Sequence, residues 1–199
     1  RLLPDFRPAL ADGRTPPISL RQLLSHSSGL GYRFLEADAD GPYAQAGVSD
    51  GMDANPLTLT DNVHRIAQAP LLFAPGSQWL YSLGVDVAGA VAEAATGETL
   101  QALFERLLAA PLGLADTGFT ADLSRLPTSY GLGPDGRVSP LDTAGRFAVP
   151  PVFESLACGL AATVGDYLEL LGVLVDGGPV LDPESARLMA TDHLTAQQR

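Results

Sequence analysis

Lysine is absent from this sequence, and its 12 basic residues are all arginine. The absence excludes Schiff-base chemistry, a phosphate-binding P-loop and any serine nucleophile activated by a lysine of this chain, because each needs an ε-amino group. Positive charge is scarce in general: 23 acidic residues outweigh the arginines and leave a formal net charge of −11. So negative a chain repels a phosphate backbone, and nucleic acid is not an expected partner. Cysteine occurs once, at Cys158, which excludes an internal disulfide and a cysteine-based metal cage. His26, His64 and His193 lie far apart and show no zinc-ligand spacing. No apolar run reaches the roughly 18 residues of a membrane-spanning helix, and residues 1–5 carry no signal-peptide pattern.

What is present points to a packed protein. Hydrophobic residues make up 46% and charged residues 18% of the 199, which fits a globular chain with a core rather than a disordered one. Local signals outline the elements. Ser19 is a candidate N-cap for a short helix from Leu20 to Ser25 that ends near Gly29. Residues 31–57 have no hydrophobic period and read as a long surface loop, a feature that often borders a binding site. Thr60 or Asp61 is expected to cap a helix to about Ala69. From Tyr81 to Thr96 apolar residues occupy nearly every side of the helical wheel, so a buried helix is expected, closed by Gly97. A second helix, Leu100 to Ala109, should stop at Pro111. Pro134-Asp135-Gly136 is a turn sequence inside a predicted hairpin over 128–141. Residues 142–157 read as irregular. Thr163 caps a predicted helix to about Val175, and Asp182-Pro183-Glu184 opens another. The fold class is therefore mainly α with a small β-hairpin, and residues 1–199 suffice for one domain or for part of a larger one.

Four segments carry a resemblance. Residues 19–30, SLRQLLSHSSGL, are similar to the signature LRxLLxHTSGL. Residues 73–82, FAPGSQWLYS, are similar to FxPGxxWxYS. Residues 111–119, PLGLADTGF, are similar to PLGMxDTxF. Residues 158–167 with 181–185 are similar to GGGLxSTxxDYxxF followed by LLSPES. In this order and spacing, over residues 18–190, the chain resembles the serine β-lactamase-like hydrolases: class C β-lactamases, penicillin-binding proteins and, most closely, their esterase branch.

The resemblance implies a single partial domain over residues 1–199: the central helical region of the β-lactamase/transpeptidase-like α/β fold, with sheet-forming N- and C-terminal parts outside this chain. It implies a serine hydrolase that forms an acyl-enzyme, with no cofactor and a small-molecule ester or amide as partner. Of the family's three active-site elements, only the tyrosine motif matches, at Tyr81-Ser82-Leu83. The Ser-x-x-Lys motif is absent, so this chain by itself is expected to be inactive. Carboxylic esters are the expected substrates; a β-lactamase or D,D-peptidase and a non-catalytic binding protein are the alternatives. Compartment, whether bacterial cytoplasm or periplasm, and oligomeric state stay open.

The candidate site residues are Tyr81 as the catalytic group, with Ser82, Leu83, Cys158 and Gly159 at the substrate. A phenol gives up its proton near pH 10, so Tyr81 works as a base only beside positive charge or hydrogen-bond donors. Read without the family, Tyr81 is sooner a packing aromatic at the start of the buried helix, and the resemblance reverses that. Leu83 stands where β-lactamases typically carry an amide-binding asparagine, and cannot make that hydrogen bond, which favours esters. Ser82 is also a candidate N-cap. Cys158 is either a cleft-lining thiol or a small buried hydrophobe. His26 is expected to be structural, because Ser25 and Ser27 do not face it in a short helix. Asp86, on the buried helix, needs a partner from Arg33, Arg65 or backbone amides. Trp79 is expected to anchor the core.

Overall fold

The computed structural model describes residues 2–51, 56–141, 151 and 153–198. Side-chain caps set most helix starts. In α1 (Leu20–Leu24) the Ser19 hydroxyl accepts from the Gln22 N–H while the Gln22 side chain reaches back to the Ser19 N–H. The same reciprocal pair, Thr58 with Asp61, opens α3 (Leu59–Gln68). The cap is thus Thr58 rather than Thr60 or Asp61, because the Asp61 carboxylate answers the residue three positions before it. A second short helix, α2 (Pro42–Gln45), lies between them. Next in sequence, α4 (Gly84–Thr96) ends on left-handed Gly97, as expected, but begins three residues after Tyr81. Thr99 caps α5 (Leu100–Phe104). The chain then continues through one π-helical turn, Glu105–Ala109, into α6 (Ala110–Leu112). Pro111 does not stop the helix where the sequence predicts: it falls in the first turn after the π-helical widening, where its missing N–H costs little.

Thr163 caps α7 (Val164–Asp176), and Asp182 caps α8 (Pro183–Met189). The hairpin forms as read: β1 (Ser129–Leu132) pairs antiparallel with β2 (Val138–Leu141). Of the segment expected to be irregular, residues 142–150 and 152 lie outside the described residues.

Residues 31–51 depart most from expectation. Tyr32, Tyr43, Val48, Ser49 and Asp50 are buried while residues 37–40 are exposed, so the segment is only partly a surface loop; residues 52–55 of the expected loop lie outside the described residues. Side chains replace the ladder it lacks. Buried Asn62, on α3, accepts from the Ser49 N–H at 2.8 Å and donates to the Ser49 carbonyl at 2.9 Å. The Tyr43 hydroxyl accepts from the Gly31 N–H at 2.8 Å, and Arg65 donates to the Gly47 carbonyl at 2.7 Å. Lack of periodicity reports the absence of regular hydrogen bonding, not exposure, since backbone groups satisfied in this way can be buried.

The main core joins α1, the 30–48 segment, α3 and α4 through Leu23, Leu30, Tyr43, Val48, Ile66, Leu83 and Val87. Gly84 makes the α1–α4 approach possible, because a Cβ there would lie 2.5 Å from the Leu23 carbonyl oxygen. A separate cluster of Phe104, Ala109, Leu114 and Phe119 lies behind α5. Asp166 in the first turn of α7 accepts from the Asp116 N–H and the Thr117 hydroxyl, both at 2.8 Å, which ties two of the resemblance segments together. On α7, Val164, Leu168, Leu171 and Val175 are exposed at helical spacing, and on α1 so are Leu20 and Leu24.

Candidate active site

The site begins with two irregular segments joined by backbone hydrogen bonds. Residues 26–31 run beside residues 72–83: Leu72 N–H donates to the Gly29 carbonyl at 2.8 Å, Leu80 N–H to that of His26 at 2.9 Å and Leu83 N–H to that of Gly31 at 3.2 Å. Gly29 is required at this crossing. Its φ is +87°, and a Cβ would meet the Phe73 carbonyl oxygen at 2.3 Å.

Tyr81 therefore lies in an irregular segment held on both sides, not in the buried helix. It is 43% exposed. Its ring packs against His26 at 4.9 Å between centroids and against Tyr32 at 5.0 Å. Trp79 meets His26 edge-on at 6.2 Å, and Tyr32 stacks on Phe34 at 4.6 Å. Trp79 is not the core anchor expected from its size: it is 46% exposed, because the 72–83 segment rides over the core and turns its side chain outward.

Buried Tyr32 is the residue that sequence reasoning missed. Burial, and next to it the Tyr81 phenol, hold its proton on far above the ordinary phenol range. The Asp86 carboxylate and the Cys158 thiol act in the same direction. Its one sequence signal was an aromatic directly after Gly29-Leu30-Gly31, and nothing local linked it to Tyr81.

Asp86 organises the far wall. It is fully buried and accepts from the Ser155 hydroxyl at 2.9 Å and the Ala157 N–H at 3.1 Å. A backbone amide is thus among its partners, as expected, together with a serine. Of the two arginines considered for it, Arg33 sets its guanidinium Nε 3.7 Å from the Asp50 carboxylate, and Arg65 donates to the Gly47 carbonyl. Pinned by Asp86, the 155–159 segment brings the Cys158 thiol 3.4 Å from the Asp50 carbonyl and 3.4 Å from the Ser155 hydroxyl. Cys158 is partly buried.

The other candidates are buried. Ser82 is fully buried and accepts from the Gly84 N–H at 3.3 Å, so it acts as the turn residue that leads into α4. Leu83 is fully buried in the main core. Gly159 is buried where a Cβ would lie 2.3 Å from the Ser155 carbonyl oxygen and 2.9 Å from the Phe119 ring. Tyr81 and Cys158 are the candidates that reach the surface.

His26 touches the tyrosine motif directly. Its Nδ1 accepts from the Ser82 N–H at 3.2 Å and lies 3.3 Å from the Ser82 hydroxyl. Burial pushes its pKa below the ordinary imidazole value. A group whose folded-state pKa is depressed stabilises the fold above its unfolded pKa and loses that contribution as pH falls. Thermal stability is therefore expected to decline below about pH 6.5, the unfolded imidazole value. The decline should be smaller in His26→Asn, as melting curves between pH 7 and pH 5 would show.

His193 lies elsewhere, against Arg21 and the Leu188 carbonyl. Among the described residues no group of three His, Cys, Asp or Glu is arranged to hold a metal ion. No helix among them is long and apolar enough to cross a membrane.

A Beta-lactamase family model matches residues 1–199. The chain belongs to this family. Among relatives of this beta-lactamase-family chain, Esterase EstB of Burkholderia gladioli is 44% identical over 188 residues, covering 86% of this chain and 48% of that protein. Lovastatin esterase of Penicillium rubens is 32% identical over 204 residues, covering 96% of this chain and 48% of that protein. The solved structure of EstCE1, described as a hydrolase with promiscuous acyltransferase activity, superposes with a TM-score of 0.91 at 39% identity, over 98% of this chain and 56% of that one. The chain thus spans about half the length of these relatives. Their likeness confirms the β-lactamase/transpeptidase-like fold and a place within its esterase-like branch.

Proposed function

We propose that this chain is the tyrosine-bearing part of a serine esterase that cleaves carboxylic esters through an acyl-enzyme. The observation that carries the reading is the setting of Tyr81: a phenol on an accessible, hydrogen-bonded segment, with a second phenol and a neutral imidazole against its ring. The names of the esterase relatives support the same reading. The chain has no lysine, so the nucleophilic serine and its activating lysine belong to other parts of the full-length protein. There, Tyr81 is the general base that takes the proton as the serine oxygen attacks the ester carbonyl. The tetrahedral intermediate collapses, Tyr81 returns the proton to the departing alkoxide, and the acyl group stays on the serine. Water, or an alcohol in an acyl transfer, then removes it by the same proton path.

Hydrolysis of p-nitrophenyl acetate tests this. The full-length protein is expected to turn over, with a burst of nitrophenol as the acyl-enzyme fills, and the 199-residue chain alone is not. Turnover by the chain alone that Ser28→Ala abolishes and Tyr81→Phe spares would overturn the assignment.

A further inference from the structure

We propose that His26 is a positioning residue for Tyr81, its imidazole standing in for a backbone carbonyl opposite Ser82; this rests on the reading of Tyr81 as the proton carrier. Between residues 26–31 and 72–83 the hydrogen bonds run backbone to backbone at Leu72, Gly76, Leu80 and Leu83. At Ser82 the pattern changes, and the amide next to Tyr81 donates to a side chain, His26 Nδ1, at 3.2 Å. His26 therefore holds both flanks of the tyrosine: its own carbonyl takes the Leu80 N–H at 2.9 Å and its ring takes the Ser82 N–H. The same ring supports the phenol, 4.9 Å from it and tilted by 56°.

The backbone conformation adds an independent observation. His26 has φ +54° and is the one non-glycine residue with left-handed backbone among the described residues. Glycine is the favoured occupant of that conformation, and asparagine, aspartate and histidine are the other residues that enter it most often. Strain of this kind persists where the surrounding structure imposes it, and it clusters at functional sites. Here the left-handed turn aims the imidazole across to the 81–82 peptide. Glycine would satisfy the backbone but supply neither the acceptor nor the supporting ring.

For Nδ1 to accept, the ring must be unprotonated there, and its partial burial favours the neutral form. The titratable group packed against it is Tyr81, from the 72–83 segment. Behind Tyr81 lies Tyr32, which feels Asp86 on α4 and Cys158 on the 155–159 segment. Among the described residues no charged partner holds the imidazole, so its part in the site is geometric: it fixes where the phenol oxygen sits when the serine proton must be taken.

The test uses the full-length protein and p-nitrophenyl acetate, at a temperature well below each variant's melting midpoint. His26→Asn keeps a residue that tolerates the left-handed backbone and an amide oxygen that can accept from Ser82, but removes the ring. His26→Gly relieves the backbone and removes both. A misplacement of about 1 Å costs up to ~10²-fold in rate. His26→Gly is therefore expected to lower kcat by roughly 10² and His26→Asn by roughly 10-fold, with KM within about two-fold of wild type in both. The partial rescue by asparagine and the split between kcat and KM are signatures that a residue needed only for folding would not produce. Unchanged kcat in folded His26→Asn, whatever its melting point, overturns the inference. So does an equal rise in KM with no change in kcat. If His26→Gly does not fold, His26→Asn alone decides. Tyr81→Phe separates the two claims. If it leaves kcat intact, the site itself is misassigned; if it abolishes kcat while the His26 variants keep theirs, only the role of His26 falls.

Discussion

Replacing Tyr81 by phenylalanine is expected to lower kcat/KM of the full-length protein toward p-nitrophenyl esters by ~10²–10⁴, the usual worth of a positioned general base. The melting temperature should move by no more than about 1–2 °C, since an exposed substitution that keeps its packing changes stability by only a few tenths of a kcal/mol. The two expectations come from different parts of one side chain. The ring, packed on His26 and Tyr32, survives the change and keeps the 72–83 segment in place. The hydroxyl, on a residue 43% exposed, is lost. A large activity loss with native stability is therefore chemical in origin. Activity within three-fold of wild type would remove Tyr81 from the mechanism. An equally large loss in both activity and stability would make it the packing aromatic that its neighbours Trp79 and Tyr32 first suggest.

Asp86→Ala should act the opposite way, through stability first. The carboxylate is fully buried and accepts from the Ser155 hydroxyl and the Ala157 N–H. Removing it leaves two buried donors without that acceptor, each worth about 1–3 kcal/mol, and opens a small cavity. A total loss of about 3–5 kcal/mol is expected from urea unfolding of the full-length protein, with Asp86→Asn less damaging because it keeps one acceptor oxygen. The 155–159 segment should loosen with it, since two of its groups bond to this carboxylate. A loss under about 1 kcal/mol would mean that the segment is held by other contacts, and the account of Asp86 would fail.

How much of this was legible beforehand follows the range of the interactions. The caps at Ser19, Thr163 and Asp182, the stop at Gly97 and the turn at Pro134-Asp135-Gly136 were readable because each involves donors and acceptors within a few residues. The family was readable because its four segments keep their order along the chain. The buried ends of the long segment after Gly31 were misread because Asn62, Tyr43 and Arg65 satisfy its backbone from positions that no periodicity links to it.

The candidate site divides along the same line. By itself, the amino-acid sequence determined that this chain carries a tyrosine motif of the β-lactamase type, that it holds no lysine to activate a serine, and several of the caps and stops of its helices. Only the tertiary structure decided that Tyr81 sits on a held, accessible segment, that Tyr32 and His26 flank it, and that Asp86 reaches partners 69 and 71 positions away. The physical reason is range. A cap or a turn is chemistry between near neighbours, whereas a site is a set of distances that exists only once the core has brought remote segments together.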